Sequence, residues 1–149
     1  MEQQLNHRAW FEPPSKRLAM WRDFRKSLDS NDILAVCETV VDWWQSAPLV
    51  NIAIDPVDSS RWPTAWEMLH QGDFCEDSLA LGMGYTIHYA NPNVKNELVY
   101  ITHTEEQFQR LCVQIDNKYL LNFRRGVIST LPIDDACIVN YRVNINKIT

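Results

Sequence analysis

Apolar residues recur every three to four positions from Ser15 to about Asp29, at Leu18, Trp21, Phe24 and Leu28, with Arg22, Asp23, Arg25 and Lys26 between them. That spacing predicts an amphipathic helix behind the break at Glu12-Pro13-Pro14, with Ser15 as its cap. A second helix is predicted from a cap at Ser30 or Asn31 to about Ser46, on the stripe Ile33, Val36, Cys37, Val40 and Trp44. Pro48 stops it, because proline lacks a backbone donor and disfavours helix just before it. After irregular sequence, Trp62 to Leu69 reads as a short helix with Pro63 in its first turn and Gly72 closing it. Asp73-Phe74-Cys75-Glu76 has the form of a capping box. The helix it opens carries Cys75, Leu79, Met83 and Ile87 on one face and Ser78, Gly82 and Thr86 on the next. Being apolar nearly all round, it belongs in the middle of the protein.

Beyond Asn91-Pro92 the period changes from helical to strand-like. Strands are expected at 97–104, 108–116, 119–123, 126–129 and 137–145, with a hairpin turn at Asp116-Asn117-Lys118. Glu105-Glu106-Gln107 allows a short helix from Thr104 instead of a turn. In the last strand Val139, Tyr141, Val143 and Ile145 alternate with Asn140, Arg142 and Asn144, a half-buried pattern. The fold expected is α+β: N-terminal helices over about 15–90, packed on a C-terminal antiparallel sheet of four or five strands over about 97–147. Residues 1–149 read as a single domain, since no linker or repeat divides them.

Composition narrows the classes of function. The 149 residues are 46% hydrophobic and 22% charged, as in a globular chain rather than a disordered one. A net charge of −5 gives no electrostatic reason to bind nucleic acid, and the clusters Arg22-Arg25-Lys26 and Arg124-Arg125 suit solvated faces. No apolar run reaches the roughly eighteen residues of a membrane span, and Met1-Glu2-Gln3-Gln4 has no apolar signal core. The four cysteines, Cys37, Cys75, Cys112 and Cys137, are dispersed and make no C-x-x-C, against a zinc site and a disulfide framework. Reduced thiols in a cytoplasm are the expectation. Trp10, Trp21, Trp43, Trp44, Trp62 and Trp66 all fall in the first half and suit a core. His7 in a polar tail and His70 and His88 at helix ends carry no pattern of their own. Asp55 and Asp58 suit a turn better than a cation site.

The chemistry-bearing candidate is Cys75. A cysteine at a helix N-terminus meets free N–H groups and a dipole that stabilise thiolate, whereas the neighbouring Glu76 and Asp77 oppose it. A thiolate nucleophile needs a histidine base and an orienting Asn or Asp. His103 at the end of the first strand and Asn122 in the third are the candidates, with Asp116 at the end of the second also within the pattern. Against this stands the ordinary role of Cys75 as a core residue in a stripe with Leu79 and Met83.

Gly72-Asp73-Phe74-Cys75, the apolar helix after it and the hairpin Cys112 to Asn122 resemble a degenerate transglutaminase-like, papain-like core. In that family the cysteine follows Gly-Asp or Gly-x directly, whereas Phe74 intervenes here. The family's histidine stands a few residues before the hairpin turn, at Phe108, Gln109 or Arg110 of this chain. Its aspartate falls at about Asn122. Over the whole chain, Trp43-Trp44, Asp55-Pro56, Trp62-Pro63-Thr64-Ala65-Trp66-Glu67, Phe74-Cys75-Glu76 and Leu81-Gly82-Met83-Gly84-Tyr85-Thr86 resemble conserved proteins of large tailed bacteriophages, including cyanophages. That resemblance implies a phage origin. The function expected is therefore a non-catalytic phage protein that binds another protein, in the virion or the host cytoplasm, without a cofactor. The alternative is a small cysteine amidase, peptidase or acyl transferase with Cys75 as nucleophile, His103 as base and Asn122 as orienter.

Overall fold

Four α-helices precede five strands in the computed structural model, which describes residues 8–29 and 31–149. His7, the first four residues and the proposed cap Ser30 lie outside the described residues. The helices are α1 (Pro14–Lys26), α2 (Ile33–Gln45), α3 (Ala65–Gln71) and α4 (Glu76–Ala90). The strands are β1 (Asn96–His103), β2 (Phe108–Ile115), β3 (Tyr119–Arg124), β4 (Val127–Thr130) and β5 (Cys137–Asn144). All pairings are antiparallel, in the order β4-β3-β2-β1-β5. The α+β expectation holds, with five strands. No helix among the described residues is long and apolar enough to cross a membrane.

The helix ends correct several expected caps. Pro14 takes the first helical position of α1, where a missing N–H costs nothing, so Ser15 lies inside the first turn. Asp32 caps α2 by accepting from the N–H groups of Leu34 and Ala35. Helix α3 begins after Pro63, with Thr64 and Glu67 forming the reciprocal capping box. Gly72 ends it at φ 72°, a left-handed conformation that glycine adopts without Cβ strain. The buried Arg17 guanidinium donates to the carbonyls of Leu69 and His70 there, satisfying the helix end.

Helix α4 lies on one face of the sheet. Leu79, Leu81, Met83 and Ile87 join Leu98, Leu111, Val113, Leu121 and Val143 in one buried cluster with Trp21, Phe24, Val40, Trp43 and Trp44. Trp66 is the exception among the tryptophans, 47% exposed. Within this core Thr86 Oγ1 accepts from the indole N–H groups of Trp21 (3.0 Å) and Trp44 (2.9 Å) and donates to the Gly82 carbonyl. A Cβ at Gly82 would stand 2.5 Å from the Trp44 ring, so only glycine admits this approach.

The opposite sheet face carries a smaller cluster, Val99, Ile101, Cys112, Leu120 and Phe123, covered by Leu131, Ile133 and Cys137 from the segment before and into β5. Two register shifts decide which side chains reach which face. In β5 the pairing steps from Tyr100–Tyr141 to Ile101–Val139, leaving Asn140 unpaired. Such a bulge reverses the alternation. Val143 and Ile145 are therefore buried on the helical side, but Val139 is 44% exposed and aligned with Ile101. The expected unbroken alternation of β5 is corrected accordingly. The 104–107 segment is a turn with Gln107 at φ 55°, not a helix.

Candidate functional site

Cys75 is the N-cap of α4, so the helix begins one residue after it and the expected cap at Asp73 is displaced. Ser78 performs the capping chemistry: its Oγ accepts from the Cys75 N–H (2.9 Å) and donates to the Cys75 carbonyl (3.0 Å). Phe74, fully buried, anchors the chain just before the cysteine, and its carbonyl accepts from the Val50 N–H. The extended segment around Leu49 and Val50 thereby forms one wall beside Cys75. The half-buried cysteine lies in an open cleft of about 350 Å³ lined by Leu49, Val50, Ile52, Ala53, Glu76, Asp77 and Gln109.

The first turn of α4 is fastened to the sheet from below. Asp77 accepts from the Leu111 N–H (2.9 Å), and Arg110 pairs with Glu76 (3.1 Å). Burial pushes the Asp77 carboxyl above the ordinary carboxylate range, against the pull of the Leu111 hydrogen bond. Asn122 Nδ2 donates to the carbonyls of Glu76 (2.8 Å) and Leu111 (2.9 Å). It reaches them because β3 is irregular there: pairing with β4 shifts between Leu121 and Arg124, and Asn122 adopts φ 69°. Asparagine tolerates this left-handed conformation better than most residues.

His103 is elsewhere. It is buried on the face of Val99 and Ile101, with its ring stacked on Phe108 (5.4 Å) and near Phe123 (6.3 Å). Its Nδ1 accepts from the Glu106 N–H, and its Nε2 faces Asp134 (3.1 Å) and Glu106 (3.2 Å). The three candidates Cys75, His103 and Asn122 are therefore not brought together. Asn122 is buried beneath the first turn of α4 as a brace between helix and sheet, and the sheet separates His103 from α4. Of the three positions where the family resemblance sets a histidine, Gln109 is the one that lines the cleft beside Cys75. The wall at Leu49 to Ala53 and Gln109 were not singled out by spacing alone.

The architecture matches solved structures. Legionella pneumophila LapG in its calcium-bound form superposes with a TM-score of 0.70 at 12% identity, over 96% of this chain and 82% of that one. Legionella pneumophila LapG as such gives 0.69 at 13% identity, over 95% and 83%, and the EGTA-treated form gives 0.69 at 12%. At such identities the likeness concerns the fold alone. No protein-family model matches the chain, and no curated protein sequence does.

Proposed function

We propose that this chain is a non-catalytic protein that acts by binding another protein, on a transglutaminase-like scaffold whose cysteine lacks its base. The observation that carries the reading is the lining of the Cys75 cleft, which among the described residues holds Gln109 and no histidine. A glutamine amide does not take up a proton near neutral pH, so it cannot serve as the general base that thiol attack requires. The cleft keeps the properties of a binding groove. Leu49, Val50 and Ile52 are 38–44% exposed along one wall, and Glu76 and Asp77 supply acid at the helix end. An extended segment with apolar side chains and a basic residue suits that surface. A phage setting, virion or host cytoplasm, is supported by the sequence resemblance.

A cysteine amidase, peptidase or acyl transferase is the second reading, favoured by the placement of Cys75 at the N-terminus of α4 on an open cleft. One experiment separates the two. The wild type and Cys75→Ala are incubated with a peptide library, with and without an added amine, and the products are read by mass spectrometry. Equal, background-level hydrolysis and transamidation are expected. In parallel, a photoactivatable maleimide on Cys75 should crosslink a partner that excess unlabelled protein displaces. Turnover that depends on Cys75 would overturn the binding reading.

A further inference from the structure

We propose that His103, Asp134 and Cys137 form a binding site for a divalent transition-metal ion, of Zn(II) type, on the sheet face opposite the Cys75 cleft. The ring nitrogen, carboxylate oxygen and thiol sulfur lie within 4.8 Å of one another. One nitrogen, one oxygen and one sulfur donor are the ligand types that borderline-soft Zn(II) accepts, and a fourth, open position goes to water. The fold builds the cluster deliberately. His103 and Cys137 are direct partners across β1 and β5. The bulge at Asn140 sets Cys137 and Val139 in register with His103 and Ile101. Stacking on Phe108 and burial hold the imidazole, so its orientation is fixed before an ion arrives. The Asp134 side chain is 57% exposed, which gives an entry path, and a cleft of about 440 Å³ beside it is lined by Asp134, Cys137 and Val139.

Proton bookkeeping makes the proposal specific. In the metal-free protein Nδ1 accepts from the Glu106 N–H, so the neutral ring carries its proton on Nε2, toward Asp134. Coordination through Nε2 requires that proton to leave and Nδ1 to take one up. Cys137 also gives up its thiol proton. The net release is one proton per ion, and the Glu106 N–H loses its acceptor, so the turn at 104–107 must move. Glu106 itself stays with Arg124, which holds it at 2.6 Å.

The full-length protein is titrated with Co(II) and then Zn(II). One equivalent of Co(II) should give a thiolate charge-transfer band in the near ultraviolet, displaced by Zn(II), with release of one proton and a shift of the Glu106 amide resonance. Cys75→Ser should keep the band and Cys137→Ser should lose it. Asp134→Asn, a change at an exposed carboxylate that leaves the core intact, should weaken Zn(II) binding at least about tenfold. Absence of the band at excess Co(II), its survival in Cys137→Ser, its loss in Cys75→Ser, or unchanged Zn(II) affinity in Asp134→Asn would each overturn the site.

Discussion

The side-chain amide of Asn122 donates to the backbone carbonyl of Glu76 at 2.8 Å, joining the third strand to the first turn of α4. The residue occupies the place where the family resemblance sets an orienting acid, yet here it clamps helix to sheet. Its second bond, to the Leu111 carbonyl, makes the clamp two-pronged.

Asn122→Ala would remove both donated bonds, leave the buried Leu111 carbonyl without this partner, free the first turn of α4 from the sheet, and place alanine at a positive φ. A loss of about 2–4 kcal/mol is expected from the cost of unsatisfied buried groups and backbone strain. Urea melts check this. Asn122→Asp, which cannot donate to either carbonyl when ionised, should be destabilising as well. A loss below about 0.5 kcal/mol for Asn122→Ala would show that water replaces the clamp.

Replacing His103 should not alter the chemistry of Cys75, because the sheet stands between them. His103→Gln is expected to leave the iodoacetamide rate at Cys75 within about twofold of wild type, a change under about 0.5 kcal/mol in barrier. The rate is followed at Cys75 by peptide mass mapping, because Cys137 is also only partly buried and adjoins His103, whereas Cys37 and Cys112 are shielded by burial. Burial holds both of those thiols neutral, with Cys37 pushed up to about 12. A tenfold fall in the Cys75 rate would mean that the ring reaches the thiol in solution.

Thr86→Val keeps the side-chain shape but removes the acceptor shared by two buried indoles. Two donors, Trp21 and Trp44, would then be unsatisfied inside the core. A loss of about 2–4 kcal/mol is expected. Thr86→Ser, which retains the oxygen, should recover most of it. Denaturant melts followed by tryptophan fluorescence check both variants. Equal stability of the valine and serine variants would show that the hydroxyl is not the element that matters.

The sequence reveals what periodicity can carry and hides what turns on register. Leu18, Trp21 and Phe24, and Val36, Val40 and Trp44, mark their helices because each element buries only one stripe. The position of Cys75 near a helix start was legible from Asp73 and Glu76, though Ser78 rather than Asp73 makes the cap. His103 was harder to place. Strand β1 is buried on both faces, with Leu98 in one cluster and Val99 and Ile101 in the other, so its alternation does not announce which side His103 takes. Asn122 and Cys137 owe their faces to irregularities in pairing, two residues long in β3 and one in β5, which leave no periodic signature. The approach of His103, Asp134 and Cys137 depends on strand pairing across more than thirty residues, and no local spacing encodes it.

Asp77 offers a test of the helix–sheet junction through pH. Its carboxyl is pushed up from 3.8, first by burial and also by Glu76, while the Leu111 N–H and Arg110 act in the opposite direction. An acid whose folded value exceeds its unfolded value binds a proton more tightly when folded. Its contribution to stability is therefore full at low pH and is lost as pH rises from the unfolded value through the folded one. Asp77→Asn removes that titration and keeps an oxygen able to accept from Leu111. The stability of the variant relative to wild type should thus increase as pH is raised from about 3 to 7, reaching a plateau once the native carboxyl is ionised. Urea melts of both proteins across that range give the difference directly. A relative stability that falls over the same interval would mean that the Leu111 hydrogen bond and Arg110 outweigh burial, with Asp77 favouring its charged form in the native protein.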